Sequence, residues 1–489
     1  MNYDELNKED LIRINAEKDR RIEQLEFELK DIKRLIFGSK SERFESAVQA
    51  DQINIFGQTT LGPQNEVEEV EVVVKKKKKK RVNQGRQKLS EHLERKEQIL
   101  TPDMDVSGMQ VVGQVVTEKL EMTPAQFYVK KIIRLKYVDQ NGHFYIAELP
   151  SDPFGRFIVG TSVATQVTLG KYLDHQPLYR QRKMYLRHQV NLPESTLNDL
   201  VKRTHFLLKP LYEYLCKIIL TSTYLQVDES SLSVMTRDHP GSTKKSTILV
   251  KVAPTDQLCV FQYIKTKHKA NLLDNLRGFK GHLQVDGNVS YEEMQEHSGV
   301  TLMHCLAHSR RYFEKAMDYD KDRASHVLSE IQKIYLIDRS IRERNLSVDQ
   351  IAEERRARMI EIFGDLKTWM EKEILQVIPG TPIDKAIKYA LKRWDGLIEF
   401  IQGGHLRPDN NLIENQIRRL ALGRKNFLFG GSHQGAEYAS LFYSMIATCQ
   451  LNQICPYEWL NDVLPRILHH PINRISELLP TKDYKFSRI

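Results

Sequence analysis

The chain has 489 residues, room for roughly three domains of ordinary size, and 40% of them are hydrophobic against 28% charged, enough for a sizeable core. Nowhere does an apolar run approach the ~18 residues of a membrane span, which excludes a membrane protein. Lys and Arg outnumber Asp and Glu by 73 to 64, a formal charge of +9, and the five cysteines (Cys216, Cys259, Cys305, Cys449, Cys455) form no CxxC pair, which excludes a disulfide scaffold and a four-cysteine zinc site.

The start, MNYDELNKEDLIRINAEKDRR, is too charged for a secretory signal, so a soluble cytoplasmic protein is expected. Within residues 1–45, Ile22, Leu25, Leu29, Ile32 and Ile36 recur at steps of three and four, the seam of a coiled coil that would pair copies of the chain. Residues 46–99 read as a linker with an acidic cluster (Glu66, Glu68, Glu69, Glu71) followed by a basic run. That run holds Lys75, Lys76, Lys77, Lys78, Lys79, Lys80, Arg81 and Arg86, then Lys88, Arg95 and Lys96, against only Glu91 and Glu94. Its excess equals that of the whole chain. Such a run suits a polyanion such as DNA, and the plainer alternative is a solvated linker.

Residues 100–152 alternate like the short strands of a small β module. Residues 155–215 turn helical, and KYLDHQPLYRQRKMYLRHQV mixes Tyr172, Tyr179 and Tyr185 with basic residues, a candidate DNA-binding arm or an ordinary amphipathic helix pair. Residues 220–440 read as a layered α/β domain: three consecutive strands, a helix, the strands GHLQVDG and VTLMHCLAH, and a basic helix, SRRYFEKAM. A charged helical insertion interrupts it at about 320–400, and residues 441–489 form a helical tail.

Three acids sit where a metal site would be built. Asp228 follows Leu225-Gln226-Val227 and Asp286 follows Leu283-Gln284-Val285, so the runs LQVDE and LQVDG each deliver an Asp where an apolar strand emerges. Glu414 lies on a helix introduced by Asp409-Asn410-Asn411, with Glu437 as its rival. Two strand-end aspartates and a helical Glu can hold two Mg²⁺ ions for phosphoryl transfer, because hard cations prefer carboxylate oxygens. Taken singly, a strand-end Asp more often caps a turn. Glu229 points to the opposite strand face from Asp228. His308, Arg310 and Arg311, at a strand-to-helix junction, could contact phosphate or steady the site, with a satisfied core histidine as the alternative. Asn411 supports Glu414, and Arg424, Lys425 and Asn426 are expected to face DNA phosphate.

From LIFGSKSERF through TPAQFYVKKIIRLKY, KYLDHQPLYRQ, DES, VDG and CLAHSRRYF to NNLIENQIRRLALGRKNFLFGG, the chain resembles the transposases of the insertion-sequence sixty-six family, a DDE-type group of bacterial mobile elements. The resemblance implies a multidomain α/β protein with an RNase H-like catalytic core, a helical insertion before the Glu, and Asp228, Asp286 and Glu414 as catalytic triad and metal ligands. It implies two Mg²⁺ ions, with Mn²⁺ able to substitute. It also implies binding of terminal inverted repeats and target double-stranded DNA, strand cleavage and strand transfer, and accessory proteins of the same element. One departure is clear: the family's small zinc-finger module has Cys pairs, whereas no cysteine precedes Cys216, so the β module is expected to stand without structural zinc. The alternatives are a nuclease of the same fold and a catalytically inactive, transposase-derived DNA-binding regulator.

Overall fold

A computed structural model describes residues 127–129, 136–138, 144–146, 152–155, 157, 159–236, 242–266, 268–296 and 299–487. All lie in the compact unit Met122–Ile489. The coiled coil, the basic run and most of the β module, including the region where zinc is not expected, fall outside the described residues. Of the β module the backbone pairing of β1 (Lys136–Val138) with β2 (Phe144–Ile146) is described, antiparallel with Tyr137 opposite Tyr145.

Three helices follow, α1 (Thr161–Tyr172), α2 (Leu178–Arg187) and α3 (Glu194–Ile218). In α3 the residues Leu197, Leu200, Val201, Leu208, Leu211 and Leu215 recur at helical spacing and are buried together. Five strands then form one mixed sheet in the order β5-β4-β3-β6-β7. Strands β3 (Tyr224–Met235), β4 (Thr243–Ala253) and β5 (Leu258–Ile264) make an antiparallel meander. After the short helix α4 (Lys269–Asp274) the chain crosses over, so that β6 (Gly281–Val285) runs parallel to β3 and β7 (Val300–His304) parallel to β6. From Ser246 to Ala253 strand β4 is buried at every position, the pattern of a strand covered on both faces.

Helix α5 (Leu306–Ala316) leaves β7 and opens the helical insertion, which comprises α6 (Lys321–Arg342), α7 (Val348–Glu373), α8 (Pro382–Lys392) and α9 (Trp394–Ile398). The local signals for their starts are clear in the chain. The Asp320 side chain caps α6, Ser347 and Gln350 form a capping box on α7, and Thr381 caps α8 with Pro382 in the first turn. These helices enclose an apolar core of their own, which takes in Tyr224 and Met303 from the sheet. At its centre lies a buried ion pair: Arg355, fully buried, donates to Asp338 at 2.8 and 2.6 Å and to the carbonyls of Phe400, Gly403 and Leu406.

The chain returns to the sheet through α10 (Asn411–Phe427), α11 (His433–Leu451) and α12 (Pro456–Ile467). Helix α11 straddles residue 440, where the catalytic domain was expected to end, and closes the open edge of the sheet. Backbone N–H groups of Cys259 and Phe261 on β5 donate to Thr448 Oγ1 (3.2 Å) and Ser444 Oγ (2.8 Å). Among the described residues no helix is long and apolar enough to cross a membrane.

Candidate active site

The two LQVD runs lie side by side. Because β3 and β6 are parallel with Gln226 opposite Gln284, the aspartates two residues further on, Asp228 and Asp286, stand at the same level and on the same face. Only Asp286 follows a strand end: Asp228, expected where a strand emerges, lies within β3, which stays paired with β4 as far as Met235. The glutamines build the floor. Gln226 Nε2 donates to Gln284 Oε1 (2.9 Å) and to the Asp409 carbonyl (2.9 Å), while its Oε1 accepts from the Ile413 N–H (3.2 Å) in the first turn of α10. Gln284 Nε2 donates to the Arg407 carbonyl at 2.9 Å, and Tyr224 donates its hydroxyl to Gln284 Oε1. All three side chains are fully buried, and together they fix the loop that carries Glu414 against the strands that carry the aspartates.

Burial pushes the Asp228 carboxyl up to about 7, reinforced by the negative charges of Asp286, Glu414 and Glu229 and opposed by the Glu229 N–H that Asp228 accepts at 2.6 Å. Asp286 Oδ1 accepts from the Asn288 N–H at 2.9 Å. The turn behind it is clasped by the insertion: Tyr389 donates to the Asp286 carbonyl (2.6 Å) and Arg393 to the Gly287 carbonyl (2.7 Å). Gly287 has φ +95, and a Cβ there would stand 2.5 Å from the Tyr389 hydroxyl, so only glycine fits both the backbone and the space. Glu229 faces away from Asp228 and accepts from Tyr291 (3.1 Å) and Asn288 (3.3 Å).

Glu414 is held by α5. His308 and Arg311, one turn apart, face it together: Arg311 Nη2 lies 2.9 and 2.8 Å from the two carboxylate oxygens, and His308 Nε2 lies 3.9 Å from Oε1. Arg311 Nη1 also donates to His308 Nε2 at 3.1 Å, which requires the neutral imidazole. Among the described residues no group of three His, Cys, Asp or Glu side chains is arranged to hold a metal ion. The carboxylate of Glu414 is committed to a guanidinium. The donor chemistry nevertheless suits a hard divalent cation, because all three groups are carboxylates.

Other residues expected near the site have different partners. Arg310 pairs with Glu314 at 2.7 Å on its own helix. Arg424 donates to the Ser231 carbonyl and hydroxyl, tying the end of α10 to β3, and Asn426 accepts from Arg180 at 3.3 Å. Lys425 is exposed. The Asn411 N–H donates to Asp409 Oδ1 at 3.1 Å, part of the turn that starts α10. Glu437 is exposed on α11 and is absent from the charges that act on Asp228.

The family model described as the transposase IS66 family matches residues 156–438, more than half of the chain and the whole of this constellation. The chain belongs to the IS66 transposase family. Two further family models match on either side: the IS66 C-terminal element over residues 444–481, and the transposase C of IS166 homeodomain over residues 24–97. Among similar proteins of Sinorhizobium fredii, the uncharacterized protein y4jD is 28% identical, covering 80% of this chain and 81% of that protein. The uncharacterized protein y4hP is 26% identical, covering 93% of this chain and 88% of its own length.

In this IS66-family chain the residues that sequence reasoning passed over are Gln226, Gln284 and Tyr224 beneath the carboxylates, and Tyr389 and Arg393 behind Asp286. The glutamines did leave a signal. A polar side chain repeated two places before each Asp shares the Asp's strand face, where an apolar residue would otherwise be expected.

Proposed function

We propose that the chain is a DDE transposase whose sheet is an RNase H-like core, cutting DNA at terminal inverted repeats and transferring the freed strand to target DNA. The observation that carries this reading is the pairing of Asp228 and Asp286 at one level of two parallel strands, with Glu414 delivered to them by the Gln226 floor. Asp228, Asp286 and Glu414 would hold Mg²⁺, or Mn²⁺ in its place. A metal held there would supply the positive charge that activates an attacking oxygen and stabilises the leaving one in phosphoryl transfer.

The chain's own part is placement. The glutamine floor fixes the spacing of the three carboxylates, and the Tyr389–Arg393 clasp holds the turn of Asp286. Arg311 neutralises Glu414 in the free protein and lies within reach of a phosphate once that carboxylate is engaged elsewhere. In this reading Lys75 through Arg86 add DNA affinity without sequence discrimination, Lys425 adds a phosphate contact, and residues 1–45 pair the chains that bring two DNA ends together.

The test is strand cleavage of an inverted-repeat duplex with and without Mg²⁺. Asp228→Asn, Asp286→Asn and Glu414→Gln are each expected to abolish cleavage and leave DNA binding in place, while Glu437→Gln stays near wild type. Cleavage in EDTA, or full activity in any of the three variants, would overturn the assignment.

A further inference from the structure

The β3–β4 hairpin does not stop at the carboxylates. It continues from Asp228 to Met235, about 23 Å at roughly 3.3 Å per residue. Strand alternation and register put Thr236, Lys244, Ser246, Tyr263 and Lys265 on the sheet face that also carries Asp228. At this far end the first turn of α11 closes an open cleft of about 270 Å³, lined by Thr236, Ser246, Thr266 and His433 and by Lys244, Lys245 and Lys265.

Three observations mark the cleft as an anion site. Among the described residues its lining holds three lysines and no acid, and none of the three has a carboxylate partner there. The Thr236 hydroxyl is buried, with the residue only 9% exposed, and has no hydrogen-bond partner. A buried hydroxyl left unpaired is costly unless a ligand completes it. The third is preorganisation: Tyr263 Oη sits 3.0 Å from Ser246 Oγ and 2.5 Å from His433 Nδ1, which fixes the imidazole and leaves Nε2 for a ligand. The N-terminus of α11, a 19-residue helix with no acid in its first turn, adds a favourable dipole. Glu437, one turn further along, acts on the Tyr263 hydroxyl but does not line the cleft.

We infer that this cleft seats one backbone phosphate of duplex DNA, about seven base pairs from the phosphate at the carboxylates, given a rise of about 3.4 Å per base pair. The inference rests on the proposed function for the duplex that crosses the carboxylates. Ammonium groups bind phosphate as point charges and read no sequence, so the site sets the register of the duplex and not its identity.

The experiment is a methylphosphonate scan on the full chain. Inverted-repeat duplexes each carry one neutral phosphate at successive positions four to ten base pairs from the cleavage point, and binding is measured by anisotropy for wild type, Lys244→Gln/Lys265→Gln and Thr236→Val. In wild type one position near seven is expected to weaken binding about tenfold, the loss of a charge-assisted contact. In the lysine double variant the same position should matter less than about twofold, because the partner is already gone. Free phosphate in the cleft could not produce that coupling. The lysines are exposed, so the variant should melt with wild type, and Thr236→Val, which removes only the hydroxyl, gives a second and smaller coupling at the same position. Cleavage of the duplex with no coupled position overturns the cleft alone. A chain that neither binds nor cleaves the inverted-repeat duplex overturns the proposed function as well.

Discussion

Two buried polar hubs hold the same stretch of chain, and they are built from opposite materials. Beneath the carboxylates the hub is neutral: Gln226 and Gln284, joined through the Tyr224 hydroxyl, bind the carbonyls of Asp409 and Arg407 and the Ile413 N–H. In the insertion it is ionic: Arg355, paired with Asp338, binds the carbonyls of Phe400, Gly403 and Leu406 a few residues upstream. Amides fix a backbone without adding charge, so close to Asp228 they position Glu414 and leave the carboxylates' electrostatics alone. Further away a guanidinium can gather three carbonyls at once, and its charge is met by Asp338. The difference teaches that the segment delivering Glu414 is secured twice, with net charge kept out of the hub that touches the site.

The largest expected effect comes from breaking the ionic hub. Arg355→Met leaves Asp338 with Arg342 alone, at 2.9 Å, and strands the carbonyls of Phe400 and Gly403, so it should cost roughly 3–5 kcal/mol in a urea melt. A third buried group sharpens the contrast. Lys251 is 1% exposed on β4, bound to Gln262 Oε1 at 2.9 Å and the Asn275 carbonyl at 3.1 Å, and burial lowers its ammonium to about 8. Between about pH 8 and the unfolded value near 10.4 the unfolded chain binds the extra proton, so stability should rise with pH across that window by about 3 kcal/mol. Denaturation from pH 7.5 to 10.5 should show the rise in wild type and lose it in Lys251→Met.

Gln226→Leu tests the neutral hub. It strands the Ile413 N–H and the Asp409 carbonyl, and should cost about 2 kcal/mol of stability. Strand cleavage should fall further than Asp338→Asn variants of equal stability, because Glu414 loses its register. The smallest effect is at Arg311. Since its guanidinium competes with a cation for Glu414, Arg311→Gln should tighten Mn²⁺ binding about threefold in titration calorimetry, less than about 1 kcal/mol for a half-buried pair. Weaker binding would mean that Arg311 helps to build the site.

The five strands and most of the helices fall where alternation and periodicity put them, because each is a local property of the chain. The paired aspartates were legible for the same reason, since LQVDE and LQVDG are repeated words. What hid was rotation and packing. Arg355 sits beside Arg356 and Arg358 in a charged helix, and only the turn of α7 against α6 decides which of them is buried. For Arg311 the choice between a phosphate contact and a support of the site stayed open, because nothing in SRRYFEKAM says that its face meets a residue about a hundred positions later. Arg424 likewise reads as a free cation until the Ser231 carbonyl is brought to it.

The closing of β5 by α11 has a consequence during synthesis. Ser444, which takes the Phe261 N–H, is made 183 residues after it. At about 5–20 residues per second the edge of the sheet waits roughly 10–40 s for its cover while the whole insertion is being made. Throughout that interval the strand can accept another strand, from this chain or from its neighbour on the same message. A copy truncated before His433, as an interrupted reading frame would produce, keeps that edge open for its lifetime and is a source of aggregates more than of inactive enzyme.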